Sequence, residues 1–527
     1  MKQLIKYLLG LSVALNFAAC TTDYLETNPT SSTSGTTIFK DDKSALVALN
    51  GIYRLMYTSG WSLSNTHQNF GNTSTSLFAD LMGEDMVQHE QGSGWFWYDY
   101  IYDVRRRYTS TGWRSYATWN YYYSLISNAN YIIAQETTIG GDPANVKYIV
   151  ASAYAIRAYS YFYLIQIFQQ TYVGHQTLPG VPLYTEPTTS ASVGKPRGTV
   201  EQVYTQINAD LDKSIALFKA SGVSQMDKSH IDYYVANGFK AKVALVQGKW
   251  QAASDAAKEA LTKTNLTLMT ASQLSTGFND VTSNGVMWGA TIIADQATIY
   301  ASFFSHMDPT AGMYGSSSRK CISSWLYGQI PTTDARKSWW GGYIAPASES
   351  SSGVNASYVQ KKFLFKNVTT YTGDYIFLRA EELLLVEAEA QCRLGNYTPA
   401  RSLLTQLGAN RDPNYSTRLA TMTNANTQTL DTKGTGSTPV ITTLLDEVLL
   451  QRRIELWGET GRIFDILRLA HGFTRNFTGT NHPTAGLLTK FGGAEATTPD
   501  YKEFILTIPQ TEFDGNTSLT SADQNPM

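Results

Sequence analysis

Carboxylates, histidines and aromatic rings are the side chains with which this chain could do chemistry. Asp80, Glu84 and Asp85 come nearest to an acidic cluster. A glycosidase needs two carboxylates facing each other across the scissile bond, and spacing along a chain does not establish that. A solvated helix end is the first expectation for these three, with polar contacts to a sugar second and calcium third. His89 precedes Glu90 but lacks the second histidine of an HExxH zinc helix, and the chain holds neither a GxSxG elbow nor a GxxxxGKS/T phosphate loop. The seven histidines are scattered. No catalytic, metal or cofactor role is expected of them.

The aromatic residues carry more. They make up 12% of the chain, with 33 Tyr and 11 Trp. A pyranose presents weakly positive C–H groups on one face, which suit the negative face of an aromatic ring, while a few placed polar groups fix the hydroxyls. Trp95, Trp97 and Tyr98 lie in a stretch without helical periodicity, residues 58 to 112; Trp288, Tyr314, Trp325 and Tyr327 lie in a second, residues 265 to 375. These seven are the expected ligand-binding residues. For any one ring, burial in the loop core is the competing reading, so the expectation attaches to the group.

Bulk composition narrows the ligand. The 527 residues are 43% hydrophobic, ample for a large core, but only 16% charged, with a formal net charge of -2 and no basic tract. That excludes an electrostatic footprint for nucleic acid and favours an uncharged or locally recognised ligand.

The elements that position these rings are helical. Residues 142–174 run without a breaker from Asp142, a helix cap, and Pro143, suited to a first turn. Apolar residues fall on two stripes, Ile149, Ala153, Ile156, Tyr163 and Ile167, and Ala151, Ala155, Ala158, Phe162 and Ile165. A helix apolar on two sides belongs inside an array of helices. Further helices are expected from Asp41, from about Arg114 and from about Thr199. GKWQAA at 248–253 and GNYTPA at 395–400 each follow an Ala-rich helix and share Gly, an aromatic two on and Ala three further. That is the turn of a tetratricopeptide-like helical hairpin. Beyond a polar loop near residues 410 to 438, LLDEVLLQRRIELWGETGRIFDILR spaces Arg452, Arg453, Glu455, Glu459, Arg462, Asp465 and Arg468 for ion pairs along and between helices. The predicted fold class is mainly α, with long aromatic-rich loop insertions.

The amino terminus reads as an export signal, with Lys2 and Lys6 before an apolar run at 8–17 and then Ala18, Ala19 and Cys20. Cys20 resembles the lipidated residue of a bacterial lipobox, though Phe17 stands where Leu is commonest; simple secretion with an incidental cysteine is the other reading. Residues 1–19 are then a signal peptide, 20–40 a lipidated end and Ser/Thr-rich tether, and 41–527 one domain. Cys321 and Cys392 have no metal-ligand spacing. Cys392 reads as a small core residue, and whether the two pair is left open.

Taken in order, Cys20 followed by DYLETNP, RAYSYFYLIQIF leading into LPGVPLY, RRIELWGETGRIFDILR, and the closing IPQTEF with QNP resemble a SusD/RagB outer-membrane lipoprotein. Gln451 stands where that family usually has Glu, and Thr460 shifts the glycine after Glu459. The resemblance implies a tetratricopeptide-like scaffold, a loop-rich ligand site and no enzymatic step. It also implies a lipid anchor in the outer membrane, facing the cell surface, and a TonB-dependent, SusC-like transporter to which captured oligosaccharide is delivered. Peptide binding within the same family, a glycoside hydrolase and a pure interaction scaffold are the alternatives.

Overall fold

The computed structural model of the chain describes residues 38–62, 64–103, 112–189, 191–342, 356–428, 441–488 and 499–526. Cys20, the export segment and the tether as far as residue 37 lie outside the described residues, as does the end of the polar loop near 410 to 438, from residue 429.

Helices dominate. They are α1 (Asp42–Leu55), α2 (Asn72–Met82), α3 (Trp113–Ile133), α4 (Pro143–Phe168), α5 (Val200–Ser221), α6 (Tyr233–Val246), α7 (Trp250–Leu261), α8 (Ala380–Arg393), α9 (Tyr397–Gly408), α10 (Leu444–Glu455) and α11 (Arg462–Arg468), with shorter turns between. From α3 to α9 each helix packs against the next. The strands β1 (Met86–Gln88), β2 (Pro179–Pro182), β3 (Arg197–Thr199), β4 (Val286–Ala290), β5 (Lys320–Ile322) and β6 (Tyr375–Arg379) form only two-stranded ladders.

The central helix α4 starts as expected, with the Asp142 carboxylate accepting from the Ala144 N–H at 2.8 Å and Pro143 in the first turn. Both apolar stripes are buried. The helix ends at Phe168, short of Gly174, because the carboxy-terminal tail takes its last carbonyls. Leu506 N–H donates to the Ile167 oxygen and Asn525 Nδ2 to the Phe168 oxygen, both at 2.7 Å. The closing QNP motif is thus a clamp on the central helix.

The two repeated turns have the same geometry. Gly248 and Gly395 sit at φ +69° and +79°, where only glycine is unstrained. The next residue in each, Lys249 or Asn396, donates its N–H five residues back, to Ala244 or Gln391. Ala253 and Ala400 are fully buried in the paired helices. The hairpins α6–α7 and α8–α9 stack through α7 and α8, and Gln391 Nε2 donates to Ser254 Oγ across that seam at 2.7 Å.

Within residues 58 to 112 the sequence pattern predicted no regular helix, and α2 corrects this. Its NTSTS start is poor in helix formers, so local propensity argues against it. Tertiary burial overrides propensity here, since every residue of α2 except Ser76 is buried.

The charged helix does form ion pairs, more deeply buried than spacing alone conveyed. Glu455 accepts from Arg379 and Arg411 at 2.8 Å and from Arg336 at 2.9 Å, all four side chains at most 1% exposed. Burial alone would push the Glu455 carboxyl up; the three guanidiniums outweigh it and hold the group well below the carboxylate range. Gln451 accepts from Arg336 at 2.7 Å and donates to Glu447 at 2.9 Å, so a neutral amide bridges where a carboxylate would add charge.

Asp80, Glu84 and Asp85 are no solvated helix end. All three are buried at the junction of α2, β1 and α11. Arg462 donates to Glu84 at 2.8 Å, Arg453 donates to Asp85, and the Trp457 indole donates to the Asp85 carbonyl at 3.0 Å. These acids fasten β1 to the charged helices.

Candidate ligand-binding site

Antiparallel pairing of β1 with β5, Met86 opposite Ile322, brings the two irregular regions together. Loops leave this ladder from both strands, and the rings they carry converge. Trp95 and Tyr314 meet edge to face at 5.8 Å, Tyr300 lies tilted against Tyr314 at 5.3 Å, and His67 approaches Trp95 at 5.3 Å and Tyr300 at 5.5 Å. Trp95, Tyr314 and His67 are half-buried and Tyr300 is 46% exposed. The result is a wall of rings with one side toward solvent.

Local backbone sets which ring faces out. Phe96 takes the left-handed conformation at φ +61°, costly for a bulky side chain. It is held there by full burial of its ring and by its N–H donating to Gln68 Oε1 at 2.6 Å. Phe96 thereby turns inward while its neighbour Trp95 stays partly exposed. Behind the wall, buried His306 stacks on Tyr314 at 5.0 Å and donates Nε2–H to the His67 carbonyl at 2.7 Å. Burial drives its imidazole well below the usual histidine range, so His306 is a neutral support.

The other expected site residues are placed differently. Tyr98 is half-buried, its hydroxyl accepting from Gln91 at 3.3 Å on the same loop as Trp95. Trp97, 7% exposed, packs on Tyr100 at 5.7 Å. Trp288, in β4, is 1% exposed, donates its indole N–H to the Ser229 carbonyl at 3.0 Å, and meets Phe377 at 4.8 Å. Its face is spent on the core, so the ligand role expected of it is withdrawn, and Trp97 is nearly as enclosed. Trp325 and Tyr327 make a second locale: Arg453 lies over Trp325 at 4.5 Å, and Tyr327 is stacked on Tyr358 at 4.2 Å and capped by Lys337 at 3.7 Å. Those faces already have partners.

Sequence reasoning did not assign Tyr300 and His67 to the site. Tyr300 shares its loop region with Tyr314, which was the available signal; no local signal marks His67, whose partners Trp95, Tyr300 and Tyr314 all lie outside its own turn.

Glu84 and Asp85 are held by the guanidiniums of Arg453 and Arg462, Asp80 accepts the Arg462 backbone N–H, and His89 is paired to Glu90 at 2.9 Å. Among the described residues no group of His, Cys, Asp and Glu could hold a metal ion, and no helix is long and apolar enough to cross a membrane. Cys321 and Cys392 are buried and are not joined in a disulfide.

Two family models match the chain. Residues 23–245 match one described as starch-binding and associating with the outer membrane, and residues 314–527 match that of the SusD family. The chain belongs to the SusD/RagB family. No curated protein matches it. Among solved structures, a SusD-like carbohydrate-binding protein from Bacteroides vulgatus ATCC 8482 shares 24% identity over 93% of this chain and 99% of its own, with a TM-score of 0.74. Surface glycan-binding protein A from Bacteroides uniformis shares 18% over 92% and 99%, TM-score 0.63. A laminarin-binding SusD-like protein shares 19% over 93% and 100%, TM-score 0.63. At these identities the likeness establishes the SusD fold.

Proposed function

We propose that this SusD-family chain is a non-catalytic, cell-surface lipoprotein that captures an oligosaccharide and delivers it to a TonB-dependent outer-membrane transporter. The observation that carries the reading is the wall of Trp95, Tyr300 and Tyr314, backed by His67 and His306 and left partly open to solvent. Rings in this arrangement offer faces and edges to pyranose C–H groups, and the exposed amide of Gln91 beside Tyr98 is placed to bind hydroxyls. The family description as starch-binding, and the glycan and laminarin binding named for two structural neighbours, support a carbohydrate ligand. Lipidation at Cys20 would anchor the domain at the outer membrane through the tether.

The test is affinity electrophoresis of the chain from residue 21 in a panel of soluble polysaccharides that includes laminarin, with product analysis of the same samples. Retardation by a glycan without cleavage, weakened in Trp95→Ala, is the expected result. No retardation in any gel would shift the reading to peptides, and released sugars would demand an active site.

A further inference from the structure

The Trp95 carbonyl and the Phe96 N–H are the two polar ends of one peptide group, and both are held by buried glutamines from different parts of the chain. Gln88, the last residue of β1 and fully buried, donates Nε2–H to the Trp95 oxygen at 3.2 Å. Gln68, 3% exposed, accepts the Phe96 N–H on Oε1 at 2.6 Å. A planar peptide held at both ends fixes the backbone angles on either side of it, here ψ of Trp95 and the left-handed φ of Phe96.

Gln68 is itself anchored. Its carbonyl accepts from Arg114 Nη1 at 2.9 Å and from Ser74 Oγ at 2.5 Å. Arg114, near the start of α3 and 1% exposed, also donates to both carboxylate oxygens of Asp99, from Nε at 2.9 Å and from Nη2 at 2.6 Å. Asp99 lies in the short helix Trp97–Tyr100, which Phe96 opens. One guanidinium therefore ties the turn that carries His67 to the loop that carries Trp95, whose rings stand 5.3 Å apart. A bidentate pair of this kind is geometrically specific, so the separation is set before any ligand arrives.

We propose that Gln68 and Gln88 are positioning residues of the aromatic wall: both are buried beneath it, and they act by holding the Trp95–Phe96 peptide so that the Trp95 ring meets a sugar without rearrangement. For its ligand this rests on the glycan reading above; the positioning itself belongs to the free protein. Without the Gln68 bond the left-handed Phe96 backbone keeps only the burial of its ring as support, and the peptide is free to turn.

Fluorine NMR of the chain from residue 21, labelled with 5-fluorotryptophan, reads the positioning without ligand; the Trp95 line is the one that disappears in Trp95→Phe. Gln68→Met and Gln88→Met keep side-chain length but lose the acceptor or the donor. In each, the Trp95 line should shift while that of core Trp288 stays. Gln68→Glu keeps the acceptor and should keep the native Trp95 line. Affinity electrophoresis against the retarding glycan should show binding weakened about five-fold in each Met variant, no loss in Gln68→Glu, and no further loss when Gln68→Met is added to Trp95→Ala. The two Met variants act through different bonds, so if one fails to fold the other decides. A Trp95 line unmoved in the Met variants, an equal shift in Gln68→Glu, or losses additive with Trp95→Ala would overturn the proposal. If no glycan retards the native chain, the glycan reading falls and the fluorine spectra still decide this one.

Discussion

His67 Nδ1 and the Tyr314 hydroxyl stand 2.7 Å apart, tying the turn before α2 to the short helix Tyr314–Ser317. The bond crosses between the two irregular regions and orients a ring of the wall. Tyr314→Phe keeps the ring and loses the bond, at a cost of about 0.5–1.5 kcal/mol in glycan binding. His67→Ala should cost a similar amount, and the double variant no more than the larger single effect. Affinity electrophoresis of the three variants against the retarding glycan measures this; fully additive losses would mean that the bond does not position the ring.

Trp95 and Trp288 should separate binding from stability. Trp95→Ala removes a partly exposed face, so glycan affinity falls about five- to ten-fold while the urea midpoint hardly moves. Trp288→Ala empties a fully buried site and forfeits the indole bond to Ser229, costing about 3–5 kcal/mol of stability. Both variants go through urea unfolding and the binding gel. An unchanged midpoint for Trp288→Ala would contradict its assignment to the core.

How much of this was readable from the residues differs by element. The hairpin turns were legible because Gly248 and Gly395 are forced by backbone sterics and the following aromatic and Ala by local packing. Trp95 and Tyr314 were legible as members of aromatic-rich irregular stretches. Trp288 misled for the same reason: β4 is short and buried along its whole length, with no alternation to mark it as a strand. Asp80, Glu84 and Asp85 look solvated until Arg453 and Arg462, more than 350 residues on, are folded over them. His67 and α2 were invisible because what fixes them is tertiary.

Glu455 joins Arg336, Arg379 and Arg411, which come from three separate stretches of chain. Glu455→Gln leaves three buried guanidiniums short of a counter-charge, so a loss of about 3–5 kcal/mol is expected. Glu512→Gln is the comparison: its carboxylate accepts from the buried Trp119 indole at 3.1 Å, the amide oxygen can accept in its place, and little change should follow. Chemical denaturation of the two variants decides the matter, and equal midpoints would show that the buried cluster adds no stability.

Asp80 gives a pH prediction of definite sign. Burial pushes its carboxyl from the ordinary 3.8 up to about 8, against the opposing N–H of Arg462, which donates to Oδ1 at 2.8 Å. Oδ2 has no hydrogen-bond partner. Because the folded form holds its proton more tightly than the unfolded one, this residue's contribution is complete below about pH 4 and is lost as pH rises toward 8. Asp80→Asn cannot titrate. The stability of the native chain relative to Asp80→Asn should therefore fall between pH 5 and pH 8, by up to about 1.4 kcal/mol per pH unit. Urea unfolding of both proteins at these two pH values gives the difference directly and cancels every other titrating group. A difference independent of pH would mean that Asp80 is ionised throughout, its charge met by Arg462 and its neighbours.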